Sequence, residues 1–247
     1  MKRLFKNILA ACLAGLVCSA APVRAEKLLV AVAADFTAPM KLIVSLFTAG
    51  SGIEVLPSYG GTGMLYAIIH NGAPFDLFLA ADQRRPELLY KGRLAEKPRI
   101  YARGQAVLWT AKKNVGNVSR WQDVLNLPGM NRVAVANPEL APYGAVVMGI
   151  LSPSLRERLA PRLVYAQNVV QAFQYAQKAA DCGFTALSLA LSKPGLKGRF
   201  WPISKAPFVK QSACIIKSSR HRQAAGRFFA FLFSQESRVV LKKFGYQ

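Results

Sequence analysis

Leu28 to Phe47 reads LLVAVAADFTAPMKLIVSLF, and this stretch sets the fold. Leu28–Ala34 is a short apolar run with β-branched members, the composition of a strand buried on both faces. From Thr37 to Ala49 the apolar residues Met40, Ile43, Val44 and Phe47 fall at helical spacing. The same alternation then repeats. Ile53–Ser58 reads as a strand, Thr62 opens a helix carrying Leu65, Ile68 and Ile69, Phe75–Ala80 reads as a strand and Arg84–Lys91 as a helix. A βαβαβα order implies right-handed crossovers and a parallel sheet covered by helices.

A second run of the same kind follows. Gln105–Ala111 is a long apolar strand expected to leave the first lobe. Trp121–Leu125 then reads as a helix, Arg132–Ala136 as a strand, Tyr143–Ile150 as a helix, Leu163–Ala166 as a strand, Asn168–Ala179 as a helix and Phe184–Leu187 as a strand. Ser212–Lys217 reads as a return strand, and Arg220–Phe233 as a helix with Ala224, Phe228, Phe231 and Leu232 on one side. The fold class expected is α/β: two Rossmann-like lobes joined at a hinge by two or three extended crossings. Residues 26–107 with 218–247 would form one lobe and residues 108–217 the other.

The chain of 247 residues is long enough for two such lobes, at roughly 100–200 residues per domain. With 52% hydrophobic and 18% charged residues it can bury a sizeable core. The first 25 residues read as an address. Lys2, Arg3 and Lys6 precede the short apolar run Ile8–Ala21, and Val23-Arg24-Ala25 offers small residues before Glu26, the pattern of a signal peptide for export to the periplasm. Leu9-Ala10-Ala11-Cys12 is an alternative, lipoprotein-type cleavage box. After residue 25 no apolar stretch reaches the roughly 18 residues of a membrane span.

Removal of the first 25 residues leaves 29 basic against 12 acidic residues, a formal +17. The basic residues are scattered, the densest groups being Arg84-Arg85, Lys112-Lys113, Arg220-His221-Arg222 and Lys242-Lys243. Scattered charge argues against nucleic acid and for a field that draws small anions. Cys182 and Cys214 remain, and the sequence leaves open whether they are bridged or are buried free thiols.

In an open α/β sheet, ligands sit where strands end and helices begin. Four such turns stand out: Ala33-Ala34-Asp35-Phe36-Thr37, Tyr59-Gly60-Gly61-Thr62-Gly63, Asn137 to Gly144 (NPELAPYG), and Ala166-Gln167-Asn168-Val169. Helix starts present free backbone N–H groups, an intrinsic anion site. Gly60-Gly61-Thr62-Gly63 matches no nucleotide-binding motif. Asp35 either caps its helix or faces a ligand, where an ionised carboxylate would repel an anion unless it carries or accepts a proton. Asp76 and Asp82 have no third partner for acid–base chemistry, and His70 and His221 have no metal-ligand or triad spacing. Neither catalysis nor a metal centre is indicated.

These residues resemble one family. LVAVAADFTAP (Leu29–Pro39), SYGGTGML (Ser58–Leu65), GAPFDLFLAADQ (Gly72–Gln83), RVAVANPELAPYG (Arg132–Gly144), Asn168-Val169 and KQSACIIK (Lys210–Lys217) are similar to the periplasmic molybdate-binding proteins of ABC importers. The resemblance implies the type II periplasmic binding fold, two lobes closing on one oxyanion such as molybdate or tungstate, delivery to a membrane permease with its ATPase, a monomer and no cofactor. It carries ligand contacts onto Asp35, Thr62, Tyr143 and Val169, with Ala34, Gly61, Gly63, Asn168 and Ala186 around them. Asp35 stands where the family has Ser or Asn, and Ala186 where some members have a Tyr hydroxyl. Those departures keep a second reading open: the same fold retuned to another anion, phosphate-like among them.

Overall fold

The computed structural model describes residues 26–247, so the expected signal peptide and the alternative cleavage box at Cys12 lie outside the described residues. The first lobe begins with β1 (Lys27–Ala33), a 3-10 turn (Ala34–Phe36) and α1 (Thr37–Ser51), then β2 (Glu54–Gly60), α2 (Thr62–His70), β3 (Leu77–Ala80), α3 (Arg84–Lys91) and β4 (Arg99–Gly104). The chain crosses to the second lobe for β5 (Ala106–Thr110), α4 (Trp121–Val124), β6 (Val133–Ala136), α5 (Pro142–Ile150), α6 (Pro153–Leu159), β7 (Leu163–Ala166), α7 (Val169–Lys178), β8 (Cys182–Ala186), α8 (Leu187–Ala190) and β9 (Arg199–Pro202). It returns for β10 (Val209–Ile215), α9 (Arg222–Phe231) and α10 (Gln235–Lys243).

Each lobe holds one five-stranded sheet, ordered β2-β1-β3-β10-β4 and β7-β6-β8-β5-β9. In each, the three strands of the βαβαβ run are parallel, and a strand arriving by a crossing is laid antiparallel beside them, β10 in the first and β5 in the second. The expected boundary at residue 217 therefore does not follow the sheets. Val209–Ile215 pairs with β3 and β4 of the first lobe, where Ala213 and Ile215 pack on one face of the sheet and Cys214 on the other. The crossings are the short links Gly104–Ala106 and Pro202–Val209.

The first sheet shows the strand period directly. Leu28, Val30 and Val32 pack on one face with Met40, Ile43 and Phe47 of α1 and Phe228 of α9, while Ala31, Phe78 and Cys214 pack on the other with Leu65 and Leu89. Leu29 is the exception to burial on both faces and stays exposed near the start of β1. Pro57 is tolerated in β2 because β2 is an edge strand. Strands β4 and β9 and helices α6, α8 and α10 lack a clean apolar period and are not evident in the sequence. Among the described residues no helix is long and apolar enough to cross a membrane.

Cys182 lies in β8 and Cys214 in β10, both buried and free, in different sheets. Burial pushes each thiol up to about 12. The folded protein is expected to leave both unmodified by an aromatic disulfide reagent at pH 8, with two thiols titrating only after denaturation. Fast labelling of the native chain would contradict this placement.

Candidate functional site

The carboxyl ends of β1, β2 and β3 face those of β6 and β7, and a small pocket lies between the lobes. Its lining is Ala34 and Asp35 after β1, Gly60–Thr62 after β2, Ala81 after β3, Ala141–Tyr143 before and within α5, and Asn168–Val169 at the start of α7. The space open to the centre of a water-sized sphere is about 10 Å³. Widened by the radius of a water, that is a hole about 2.7 Å in radius, suited to one compact solute of a few heavy atoms.

Local sequence fixes which donors stay free. The Asn168 side chain caps α7 by accepting from the N–H groups of Val170 and Gln171, each at 3.0 Å, and so leaves the Val169 N–H uncapped. In α5 the first residue is Pro142, which has no N–H, so Tyr143 carries the first amide hydrogen of that helix. The Thr62 Oγ1 accepts from the Ala81 N–H at 3.1 Å, which leaves its own O–H hydrogen to donate elsewhere. These are neutral donors held at helix starts, where the dipole favours negative charge.

Asp35 is 1% exposed. Its Oδ2 accepts from the Gln211 Nε2 in a short contact and from the Tyr246 hydroxyl at 2.8 Å. Gln211 Oε1 in turn accepts from the Tyr101 hydroxyl at 3.0 Å. Tyr143 Oη lies 3.4 Å from Gln211 Nε2, and Ser188 Oγ donates to the Asp35 carbonyl at 2.9 Å. Tyr143 and Ser188 belong to the second lobe, so this buried cluster joins both lobes. Burial raises the Asp35 carboxyl above its ordinary range, against the lowering effect of its Gln211, Tyr246 and Tyr143 neighbours. Burial also pushes the hydroxyls of Tyr101, Tyr143 and Tyr246 upward, with the Asp35 charge adding to it.

The glycines of the second turn serve the opposite lobe. Gly63 N–H donates to the Leu140 carbonyl at 3.1 Å, and a Cβ on Gly63 would sit 3.0 Å from that oxygen. A Cβ on Gly61 would sit 3.3 Å from the Gln167 carbonyl. Beside them Arg85 donates to the Glu139 carbonyl at 2.9 Å while paired with Asp82. The lobes are therefore drawn shut at this lip.

Of the residues singled out from sequence, Ala34, Asp35, Gly61, Thr62, Tyr143, Asn168 and Val169 line the pocket. Gly63 does not, because its amide bonds to Leu140. Ala186 does not either; it is fully buried where β8 turns into α8. Asp76 accepts from the Leu29 N–H and the Ser219 hydroxyl, and Asp82 accepts from the Arg85 N–H, so both hold loops in place. The tyrosine and Gln211 cluster was missed. Its one sequence signal is the polar pair Gln211-Ser212, which follows Lys210 and precedes the apolar Ala213–Ile215.

Two α/β lobes, two crossings and a closed pocket of neutral donors define a bilobed solute-binding protein. The chain belongs to the bacterial extracellular solute-binding protein family, whose model matches residues 28–247, and within it to the ModA family of molybdate-binding proteins. It is 38% identical to the molybdate-binding protein ModA of Azotobacter vinelandii over 240 residues, 94% of each chain. It is 34% identical to ModA of Rhodobacter capsulatus, covering 92% of this chain and 90% of that one. The solved periplasmic molybdate-binding protein of Azotobacter vinelandii superposes with a TM-score of 0.83 at 31% identity, covering 89% of this chain and 98% of that one. The family is a non-enzymatic transport component.

Proposed function

We propose that this chain captures molybdate or tungstate in the periplasm as the binding component of an ABC importer, and hands it as a monomer to a membrane permease driven by its ATPase. The observation that carries the reading is the set of donors around one small pocket: the Thr62 hydroxyl and the N–H groups of Tyr143 and Val169, with Asp35 closing the fourth side. A tetrahedral dianion offers only acceptors at neutral pH. Amide and hydroxyl hydrogens satisfy it without burying a counter-charge. The similarity to the two ModA proteins supports the same ligand. The scattered positive charge of the chain would raise the local anion concentration and the rate of capture.

Closure requires the ligand to favour the shut state over the open one. A ligand that binds only the folded chain adds RT ln(1 + [L]/Kd), about 2.7 kcal/mol at a hundredfold excess over Kd. Molybdate and tungstate are expected to raise the melting temperature at micromolar excess, while sulfate and phosphate at equal concentration leave it unmoved. A larger shift with phosphate than with molybdate would overturn the assignment in favour of a retuned receptor.

A further inference from the structure

We propose that Asp35 takes up one proton as the lobes close on a fully deprotonated oxyanion, so that its carboxylic O–H donates to the anion where relatives would use a hydroxyl or an amide. The inference rests on the oxyanion reading above and deepens it by naming the charge state the pocket accepts.

Three features of the site carry it. First, Asp35 lines the pocket and is almost wholly removed from solvent, so a carboxylate there would face a dianion with no water between to screen it. Second, no positive side chain compensates. The groups packed against the carboxyl are Tyr101 from β4, Gln211 from β10, Tyr246 at the chain end, Tyr143 from α5 and Ser188 from α8. Among the described residues none of its hydrogen bonds or ion pairs comes from Lys, Arg or His.

Third, the cluster's donors end on one carboxyl oxygen and favour the ionised form until an anion enters. The donors Gln211 Nε2 and Tyr246 Oη both end on Oδ2. Tyr101 donates to Gln211 Oε1 and so keeps the amide nitrogen turned toward Asp35. Neither the Gln211 nor the Tyr246 bond ends on Oδ1, so Oδ1 is the oxygen that would take the proton when a dianion enters. The step is a simple balance: one proton leaves the solvent or buffer, an O–H bond forms at Oδ1, and the dianion enters a pocket that gains a donor and loses a negative charge. Burial, which already favours the neutral form in the closed chain, acts in the same direction.

The sign follows from linkage. A dianion raises the pKa of a neighbouring carboxyl, so protons are taken up between the free and the bound values, and affinity falls as pH rises through that window, by up to about tenfold per pH unit. The test is calorimetry of the full mature chain with sodium molybdate between pH 6 and 9, repeated in buffers of different ionisation enthalpy. The expected result is a buffer-dependent heat corresponding to proton uptake, with affinity dropping toward high pH. In D35N the uptake disappears, the affinity is level across the range, and at pH 9 it exceeds that of the wild type. D35S, with a hydroxyl donor, is expected to behave like D35N and guards against a fault peculiar to the amide.

Molybdate binding with no proton uptake in the wild type would overturn the inference and leave the oxyanion reading standing. So would the same pH slope in D35N and D35S. Tighter binding of hydrogen phosphate without uptake would overturn it too, since the ligand's own proton would then meet an ionised Asp35. Failure of the wild type to bind any oxyanion would remove the functional reading itself.

Discussion

Replacing Val169 with proline is expected to lower molybdate affinity by between about tenfold and a hundredfold while the chain stays folded. Val169 is the first residue of α7, the position where proline fits a helix because its missing N–H would have no partner within the helix. The preceding Asn168 already has φ −151° and ψ 171°, extended backbone of the kind that a following proline requires. Asn168 can still cap the helix through the amides of Val170 and Gln171. The substitution thus deletes one hydrogen at the pocket and exchanges the buried Val169 side chain for a smaller apolar ring, so the stability measurement must accompany the affinity. A hydrogen bond to a charged group contributes about 1.5–3 kcal/mol, which sets the range. Calorimetric titration alongside urea unfolding separates the two effects. Unchanged affinity in a stable variant would show that the Val169 amide does not reach the anion.

Gly144→Ala is expected to cost about 3 kcal/mol of folding stability, the upper end for an overpacked site, with loss of binding wherever the variant still folds. A Cβ there would lie 2.0 Å from the Ala136 carbonyl oxygen and 2.8 Å from its carbon, with the Asn137 carbon at 3.1 Å. All three atoms are backbone, so no rotamer change can relieve the contact. The close approach exists because the first turn of α5 lies directly against the end of β6, and that approach sets the Tyr143 amide at the pocket. Denaturant unfolding at fixed temperature measures the loss. A midpoint within experimental error of the wild type would show that the turn is looser than the geometry implies.

Much of this was legible in the residues. Apolar runs such as LLVAVAA and FDLFLA, alternating with helices of clear period, were enough for two α/β lobes, because short length and regular alternation with helices mark such runs as buried parallel strands. The turns that line the pocket were legible as strand-to-helix junctions, and the resemblance picked out Thr62, Tyr143 and Val169 within them. What could not be read was long range. Val209–Ile215 carries nothing that says which sheet it joins, since its partners Leu77–Ala80 and Arg99–Gly104 lie over a hundred residues earlier. The setting of Asp35 depends on Gln211 and Tyr246, which are 176 and 211 residues away. Gly63 is placed by the resemblance only beside the ligand contacts, and its partner, the Leu140 carbonyl of the other lobe, cannot be read from the local sequence.

That last contact bears on traffic through the importer. The ties Gly63 to Leu140 and Arg85 to Glu139 involve protein atoms alone. They favour shutting through contacts between the lobes themselves, so the anion need supply only the remainder of the closing free energy.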